Sequence, residues 1–351
     1  MKRVGNIYNK ICDMGNIKLA YINAKKGKSH YKEVRRIDKN PDLYLELIRG
    51  MLVNKTFKNS KYKKVTKKTD SGKVREIMKL PFFPDRIIHH CIMNVIEPIW
   101  YKTLIRDTYS AIKGRGIHDG VKRIKKALRD ENTKYCLKLD VKKFYPSIKN
   151  EIMKQIIRRK IKDADVLWLL DEIIDSTEGM PIGNYLSQYF GNLYLSYLDH
   201  EIKEKLRIKY YFRYCDDIVI LSKSKKELWI TLLFIRQYLS ERLKLEIKDN
   251  WQIFPIDKRG IDFLGYRFFH GYVLVRKRII KKFKRRIAEI KKKHKTMPPE
   301  KIINSIMSYW GWLKYANCKN LFNKYIDDEL FFVVKITSKK IGINNPLQGL
   351  V

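Results

Sequence analysis

The stretch YYFRYCDDIVIL, residues 210–221, decides the fold. Two runs rich in aromatic and β-branched residues flank Cys215-Asp216-Asp217, which predicts a β-hairpin with two carboxylates at its tip. Adjacent acids repel, and burial removes the water that would screen them. The pair is therefore either a solvated Asp-Asp turn or the anionic half of a cation site. Upstream, CLKLDV (136–141) alternates as a strand and carries Asp140 near its end. Alone, Asp140 reads as a turn or capping aspartate. A carboxylate at one strand end and an acid-tipped hairpin can converge on two Mg²⁺ ions, which suit carboxylates, water and phosphates. Such a pair, about 3.5–4 Å apart, activates a 3′-hydroxyl and stabilises a pyrophosphate leaving group.

Outward from these strands, the opening to about residue 58 reads as helical, with Tyr44, Leu47, Ile48 and Met51 at helical spacing. KYKKVTKKTDSGKVREIMKL (61–80) reads as a hairpin turning at Thr69-Asp70-Ser71-Gly72. Arg86 to Trp100 predicts an apolar helix ending near Pro98, in which His89 and His90 are packing residues. Residues 117–130 predict a helix with Val121, Ile124 and Leu128 on one face. Helices are expected at about 150–176, from near Tyr185, and over 226–243; residues 261–275 read as two strands around Gly271. In 277–295 an apolar stripe of Ile279, Ile280, Phe283, Ile287 and Ile290 faces eleven Lys or Arg among nineteen residues. A further amphipathic region covers 301–336.

Composition narrows the class. The chain has 351 residues, and 76 Lys plus Arg against 37 Asp plus Glu leave a formal charge of +39. At 44% hydrophobic it can bury a substantial core, which excludes a disordered chain. Such a charge on a folded chain points to a polyanion, nucleic acid before an anionic membrane. The five scattered cysteines form no CxxC pair, so neither a disulfide framework nor a zinc site is expected. No apolar run spans a bilayer, and the N-terminus lacks a signal-peptide pattern, so a soluble, cytoplasmic protein is expected, with no membrane partner.

LKLDVKKFYPSI (137–148), MPIGNYLSQYFGNLYLSYLD (180–199), YCDDIVIL (214–221) and FLGYRF (263–268) resemble, in order and spacing, the palm motifs of reverse transcriptases. The resemblance runs from about residue 60 to about 320. Ile182-Gly183-Asn184-Tyr185-Leu186-Ser187-Gln188 is similar to the form found in diversity-generating retroelement enzymes, a group related to group II intron and retron-type enzymes. PDRIIHHCIMNVIEPIW (84–100) and KGRGIHDGV (113–121) are similar to that group too. Cys215 departs from the family, where Met is commoner.

The resemblance implies an α/β (α+β) right-hand polymerase with fingers, an antiparallel-sheet palm and a helical thumb. Its expected divisions are an N-terminal helical extension over 1–58, fingers over 59–135, palm over 136–270 with a fingers insertion at about 150–180, and thumb and tail over 271–351. By the same resemblance Asp140 and Asp216 bridge two Mg²⁺ ions (with Mn²⁺ as a substitute), Val141 lends a carbonyl, and Asp217 is the supporting acid. Lys73 and Arg75 clamp the triphosphate, and Tyr145 is the steric gate against a ribose 2′-hydroxyl. Phe144, for which a core role is the plainer reading, joins Ile182, Gly183, Ser187 and Gln188 around the nucleotide. Phe263, Leu264, Gly265 and Tyr266 form the primer grip. Lys281, Lys284, Arg285 and Lys291 face nucleic acid from a thumb in which Trp310 and Trp312 are core.

The activity implied by the resemblance is that of an RNA-directed DNA polymerase, binding template RNA, the RNA/cDNA hybrid and dNTPs. It would copy a repeat RNA with errors at adenines to diversify a target gene. The implied partner is a small basic accessory-variability protein, a pentamer in that family. No room is expected for an RNase H, endonuclease or maturase domain. The competing expectations are a defence-associated or group II intron-like reverse transcriptase and, from another class, a non-catalytic RNA-binding scaffold.

Overall fold

The computed structural model describes residues 3–68, 72, 74–293, 296–326, 330–332 and 334. The N-terminal part is helical: α1 (Tyr8–Cys12), α2 (Met14–Lys25), α3 (Lys32–Lys39) and α4 (Pro41–Val53). A hairpin of β1 (Lys63–Lys68) and β2 (Val74–Lys79) comes next, then a π-helical turn at Phe82–Arg86 and α5 (Ile87–Tyr101). They are succeeded by α6 (Ile117–Ala127), β3 (Tyr135–Asp140), α7 (Phe144–Ser147), α8 (Asn150–Arg158), α9 (Ala164–Ile174) and α10 (Ser187–His200). The acid-tipped hairpin is β4 (Tyr210–Tyr214) and β5 (Asp217–Ser222), and α11 (Lys225–Leu243) and β6 (Gln252–Pro255) come after it. The last described elements are α12 (Ile256–Arg259), β7 (Ile261–Phe263), β8 (Tyr266–Phe268), β9 (Val273–Val275), α13 (Lys277–Lys293), α14 (Pro299–Leu313) and α15 (Lys319–Tyr325).

The four-stranded sheet has the order β4-β5-β3-β6, in which β3 pairs antiparallel with β6. Two compact units emerge: one comprises 1–114, 139–218 and 229–251, the other 115–138, 219–228 and the chain from 252 onward. In the first, Ile11, Ile17, Ala20, Leu45, Ile48, Leu52, Ile88 and Ile92 form the helical core. Helix α10 is buried on almost every side, and Gly191, Asn192 and Ser196 let its neighbours approach. In the second, the antiparallel β7-β8-β9 sheet contributes Phe263, Tyr266 and Phe268, and the helices contribute Phe283, Ile287, Ile306 and Phe322.

Several sequence expectations shift in detail. On α4 the buried face is Leu45, Ile48 and Leu52, whereas Leu43 and Leu47 are exposed. Apolar residues occupy two faces of this helix, and spacing alone does not choose between them; its neighbours do. Helix α5 continues through Pro98 to Tyr101. The proline removes one backbone bond, but Ile96 before it and Trp100 beyond it are buried, and that burial offsets the loss. The 261–275 segment holds three strands rather than two, because Leu264 (φ +53) and Gly265 (φ +89) make an additional tight turn. Of the α13 stripe, Phe283, Ile287 and Ile290 are buried, while Ile279 and Ile280 are half-buried. The predicted 69–71 turn and Lys73 lie outside the described residues. Among the described residues no helix is long and apolar enough to cross a membrane.

Candidate active site

Asp140 ends β3, and residues 246–248 run antiparallel beside it. The Lys248 amide donates to the Asp140 carbonyl at 2.8 Å, the Lys142 amide donates to the Glu246 carbonyl at 2.8 Å, and buried Val141 bridges Ile247. This pairing brings the Lys248 ammonium to 3.7 Å from a carboxylate oxygen of Asp140 and 3.7 Å from one of Asp216. Two carboxylates, one at the end of β3 and one in the turn between β4 and β5, thus converge on one cation. Burial pushes the Asp216 carboxyl above the usual range and the Asp140 charge adds to this, while Lys248 and Arg75 pull it down.

The hairpin tip is held from behind. Cys215 sits at φ +54, and its carbonyl accepts from Arg213 Nη1 at 3.0 Å. Arg213 is fully buried; its Nε and Nη2 donate to Asp199 at 2.8 and 2.5 Å, and the Tyr211 hydroxyl donates to Asp199 at 2.6 Å. Burial alone would lower the Arg213 pKa, but Asp199 outweighs it and the guanidinium stays charged. Asn192 completes the support by donating to the Ser110 carbonyl at 2.6 Å.

Tyr145, in α7, lies against this tip. Its hydroxyl donates to Cys215 Sγ at 3.7 Å, and that thiol donates to Ser110 Oγ at 2.8 Å. Burial, reinforced by Cys215, pushes the phenol well above its ordinary pKa, so it remains a neutral donor. Phe144 is buried, with its ring 5.2 Å from that of Tyr145, and a Cβ on Gly191 would stand 3.1 Å from both rings. Phe144 therefore packs behind Tyr145 as a core residue.

Backbone bonds fasten the 179–184 loop between Tyr145 and β2. Met180 N–H donates to the Tyr145 carbonyl at 2.9 Å, and Met78 N–H donates to the Ile182 carbonyl at 2.7 Å. At Gly183 (φ +120) an added Cβ would stand 2.6 Å from the Met78 carbonyl oxygen, so only glycine fits. The Ser187 hydroxyl donates to the Pro181 carbonyl at 2.7 Å, which makes it a loop brace, and Gln188 is exposed in the first turn of α10. Arg75 is exposed on β2, opposite Lys67, with its charge felt at Asp216. His89 and His90 pack in α5, where burial pushes them down to about 3 and about 4, leaving both neutral.

In the second unit, Phe263, Leu264 and Tyr266 are buried, so the predicted primer-grip side chains are core, and the Gly265 carbonyl between them accepts from the Arg276 amide at 2.9 Å. A Cβ on Gly265 would stand 2.5 Å from the Trp312 ring, and the Tyr266 hydroxyl donates to the Trp312 carbonyl at 2.9 Å. Trp310 packs on Phe322 at 4.8 Å. Lys281, Lys284, Arg285 and Lys291 are all exposed on α13.

Asp217 starts β5 but does not complete a metal cluster: among the described residues no group of three or more His, Cys, Asp or Glu side chains could hold a metal ion. The fit to a hard divalent cation rests on Asp140 and Asp216, whose oxygens already converge on a positive charge. Mg²⁺ commonly uses one or two carboxylates, with water and substrate phosphates filling its remaining positions. Sequence reasoning missed Lys248, Ser110 and the Asp199–Arg213 pair. The one visible signal was an arginine in the otherwise apolar and aromatic run before Cys215.

Residues 65–268 match the family "Reverse transcriptase (RNA-dependent DNA polymerase)". The chain is 22% identical over 225 residues to Protein YkfC of Escherichia coli (strain K12), covering 60% of this chain and about half, 54%, of that relative's length. Among solved structures it is similar to apo telomerase from Candida tropicalis, with a TM-score of 0.51 and 12% identity over 82% of this chain and 59% of the other. That likeness shows the fold, a right-hand polymerase of mixed helix and antiparallel sheet. The family match extends over more than half of the sequence and includes both converging carboxylates, so the chain belongs to the reverse transcriptase family.

Proposed function

We propose that this protein extends a DNA primer with deoxynucleotides on an RNA template, with Asp140 and Asp216 holding the divalent metals of nucleotidyl transfer. The observation that carries this reading is the convergence of these two carboxylates on one cation, 3.7 Å from each, inside the family's matched region. Bound Mg²⁺ supplies the acidification of the primer 3′-hydroxyl and the stabilisation of the departing pyrophosphate, with Mn²⁺ able to replace it. Asp217 adds negative charge beside the pair. Val141, buried and bridged to Ile247, fixes the strand end that presents Asp140.

Tyr145 excludes a ribose 2′-hydroxyl with its ring, held in place by Cys215 and Ser110. Arg75 clamps the triphosphate, its planar fork suited to phosphate oxygens. Lys73 has the same proposed role. Ile182 supports the incoming nucleotide through shape without a hydrogen bond from its side chain. Lys281, Lys284, Arg285 and Lys291 bind the phosphates of template RNA and the RNA/cDNA hybrid. The expected divisions into fingers, palm and thumb, and a cytoplasmic location, belong to the same proposal.

The finer reading is a diversity-generating retroelement enzyme that works with a basic pentameric accessory protein. Its support is the Ile182-to-Gln188 sequence and an aliphatic nucleotide floor. A correct pair then supplies much of its own alignment, and template adenine, with two hydrogen bonds to thymine, supplies least. Losing about 1–2 kcal/mol of discrimination corresponds to roughly a five- to thirty-fold loss of fidelity. Sequencing cDNA made from a defined RNA template tests both levels. Errors concentrated at adenine and reduced by Ile182→Gln support the finer reading. A flat spectrum removes it while leaving the polymerase, and absence of cDNA removes both.

A further inference from the structure

Lys248 lies where the proposed metal site needs a cation, and no motif of the family resemblance includes it. Its backbone is pinned: the amide donates to the Asp140 carbonyl at 2.8 Å, and the carbonyl accepts from the Trp251 amide at 3.3 Å. From that anchor the ammonium reaches both carboxylates at 3.7 Å while remaining 38% exposed. A surface ion pair would engage one acid; this ammonium stands between two. A Mg²⁺ ion held by Asp140 and Asp216 would draw carboxylate oxygens to about 2.0–2.1 Å. Ammonium and metal therefore contend for one space, and like charges this close repel.

We propose that Lys248 is a positioning residue that competes with the divalent metal for Asp140 and Asp216, neutralising the pair until a metal displaces its side chain outward. The lysine stem is flexible and part-exposed, so displacement needs no backbone movement. Competition sets a threshold: the carboxylates stay preorganised without metal, and weakly bound cations fail to displace the ammonium. This inference rests on the assignment of Asp140 and Asp216 as metal ligands.

Titrating the full chain with Mn²⁺, and reading free ion by electron paramagnetic resonance, tests it without relying on activity. Lys248→Met should bind Mn²⁺ about tenfold more tightly than wild type, as expected when a neighbouring charge is removed. Lys248→Arg, which keeps the charge, should stay near wild type. Should Lys248→Met fold poorly by circular dichroism, Lys248→Gln carries the same expectation. Unchanged or weaker Mn²⁺ binding in the neutral variants overturns the competition. Asp140→Asn and Asp216→Asn separate the two ideas. If they abolish Mn²⁺ binding while the neutral lysine variants match wild type, only the role of Lys248 falls. If they leave binding intact, the metal-ligand assignment falls with it.

Discussion

Asp199→Asn should destabilise the fold strongly, because it breaks a fully buried ion pair. Both members of the Asp199–Arg213 pair have side chains with no solvent exposure. Asp199 accepts from Arg213 Nε and Nη2 and from the Tyr211 hydroxyl. Replacing the carboxylate with an amide keeps the volume but leaves the guanidinium as an uncompensated buried charge, a loss of about 3–5 kcal/mol. Arg213 also donates to the Cys215 carbonyl, so relaxation of the guanidinium should loosen the turn that presents Asp216. Urea denaturation monitored by circular dichroism measures the loss. Arg213→Met alone and combined with Asp199→Asn closes the cycle; the double variant should be less destabilised than the sum of the singles by about 2 kcal/mol or more. A single-variant loss under about 1 kcal/mol, or simple additivity, would refute the reasoning.

Three further outcomes are expected from particular side chains. Tyr145→Ala should raise incorporation of ATP relative to dATP by about tenfold, equivalent to about 1.4 kcal/mol; unchanged discrimination in single-nucleotide extension removes Tyr145 from the gate. Replacing Lys281, Lys284, Arg285 and Lys291 with Gln should flatten the log–log salt dependence of RNA binding by about 0.7–0.9 for each phosphate no longer neutralised, and an unaltered slope reassigns that face. The His200 pKa is raised: burial lowers it, but Glu204 at 2.6 Å and the Thr103 carbonyl at 2.9 Å outweigh this. A raised folded-state value makes its contribution full below the unfolded pKa and lost as pH rises through the folded one. The stability difference between wild type and His200→Gln should therefore be fully present below about pH 6.5, the ordinary histidine value, and shrink as the pH rises above it. The effect should be small because the side chain is 36% exposed; a pH-independent difference contradicts it.

The strand that ends at Asp140 and the hairpin whose turn holds Asp216 were legible because alternation and the CDD turn are local signals. Tyr145 was legible only through resemblance, since Phe144-Tyr145-Pro146 has no period of its own. The Ser110 hydrogen bond with Cys215 spans 105 residues, and nothing in SAIKG announces it. Lys248 is one lysine in a chain of 76 Lys and Arg, so its type carries no information; its place opposite Asp140 exists only once the two segments pair. The buried side chains of FLGYRF illustrate the reverse limit. FLGYRF identifies a tight turn between strands, but its apolar residues pack inward, with Phe263, Leu264, Tyr266 and Phe268 all buried.

Single-turnover primer extension on an RNA template, comparing wild type with Asp216→Asn and measuring RNA affinity in parallel, tests the central claim most directly. Wild type should extend the DNA primer with dNTPs and Mg²⁺. The variant should lose at least about a hundredfold in rate, about 2.7 kcal/mol, with RNA affinity unchanged. A variant retaining more than about a tenth of the wild-type rate would contradict the assignment of Asp216 to the metals of nucleotidyl transfer.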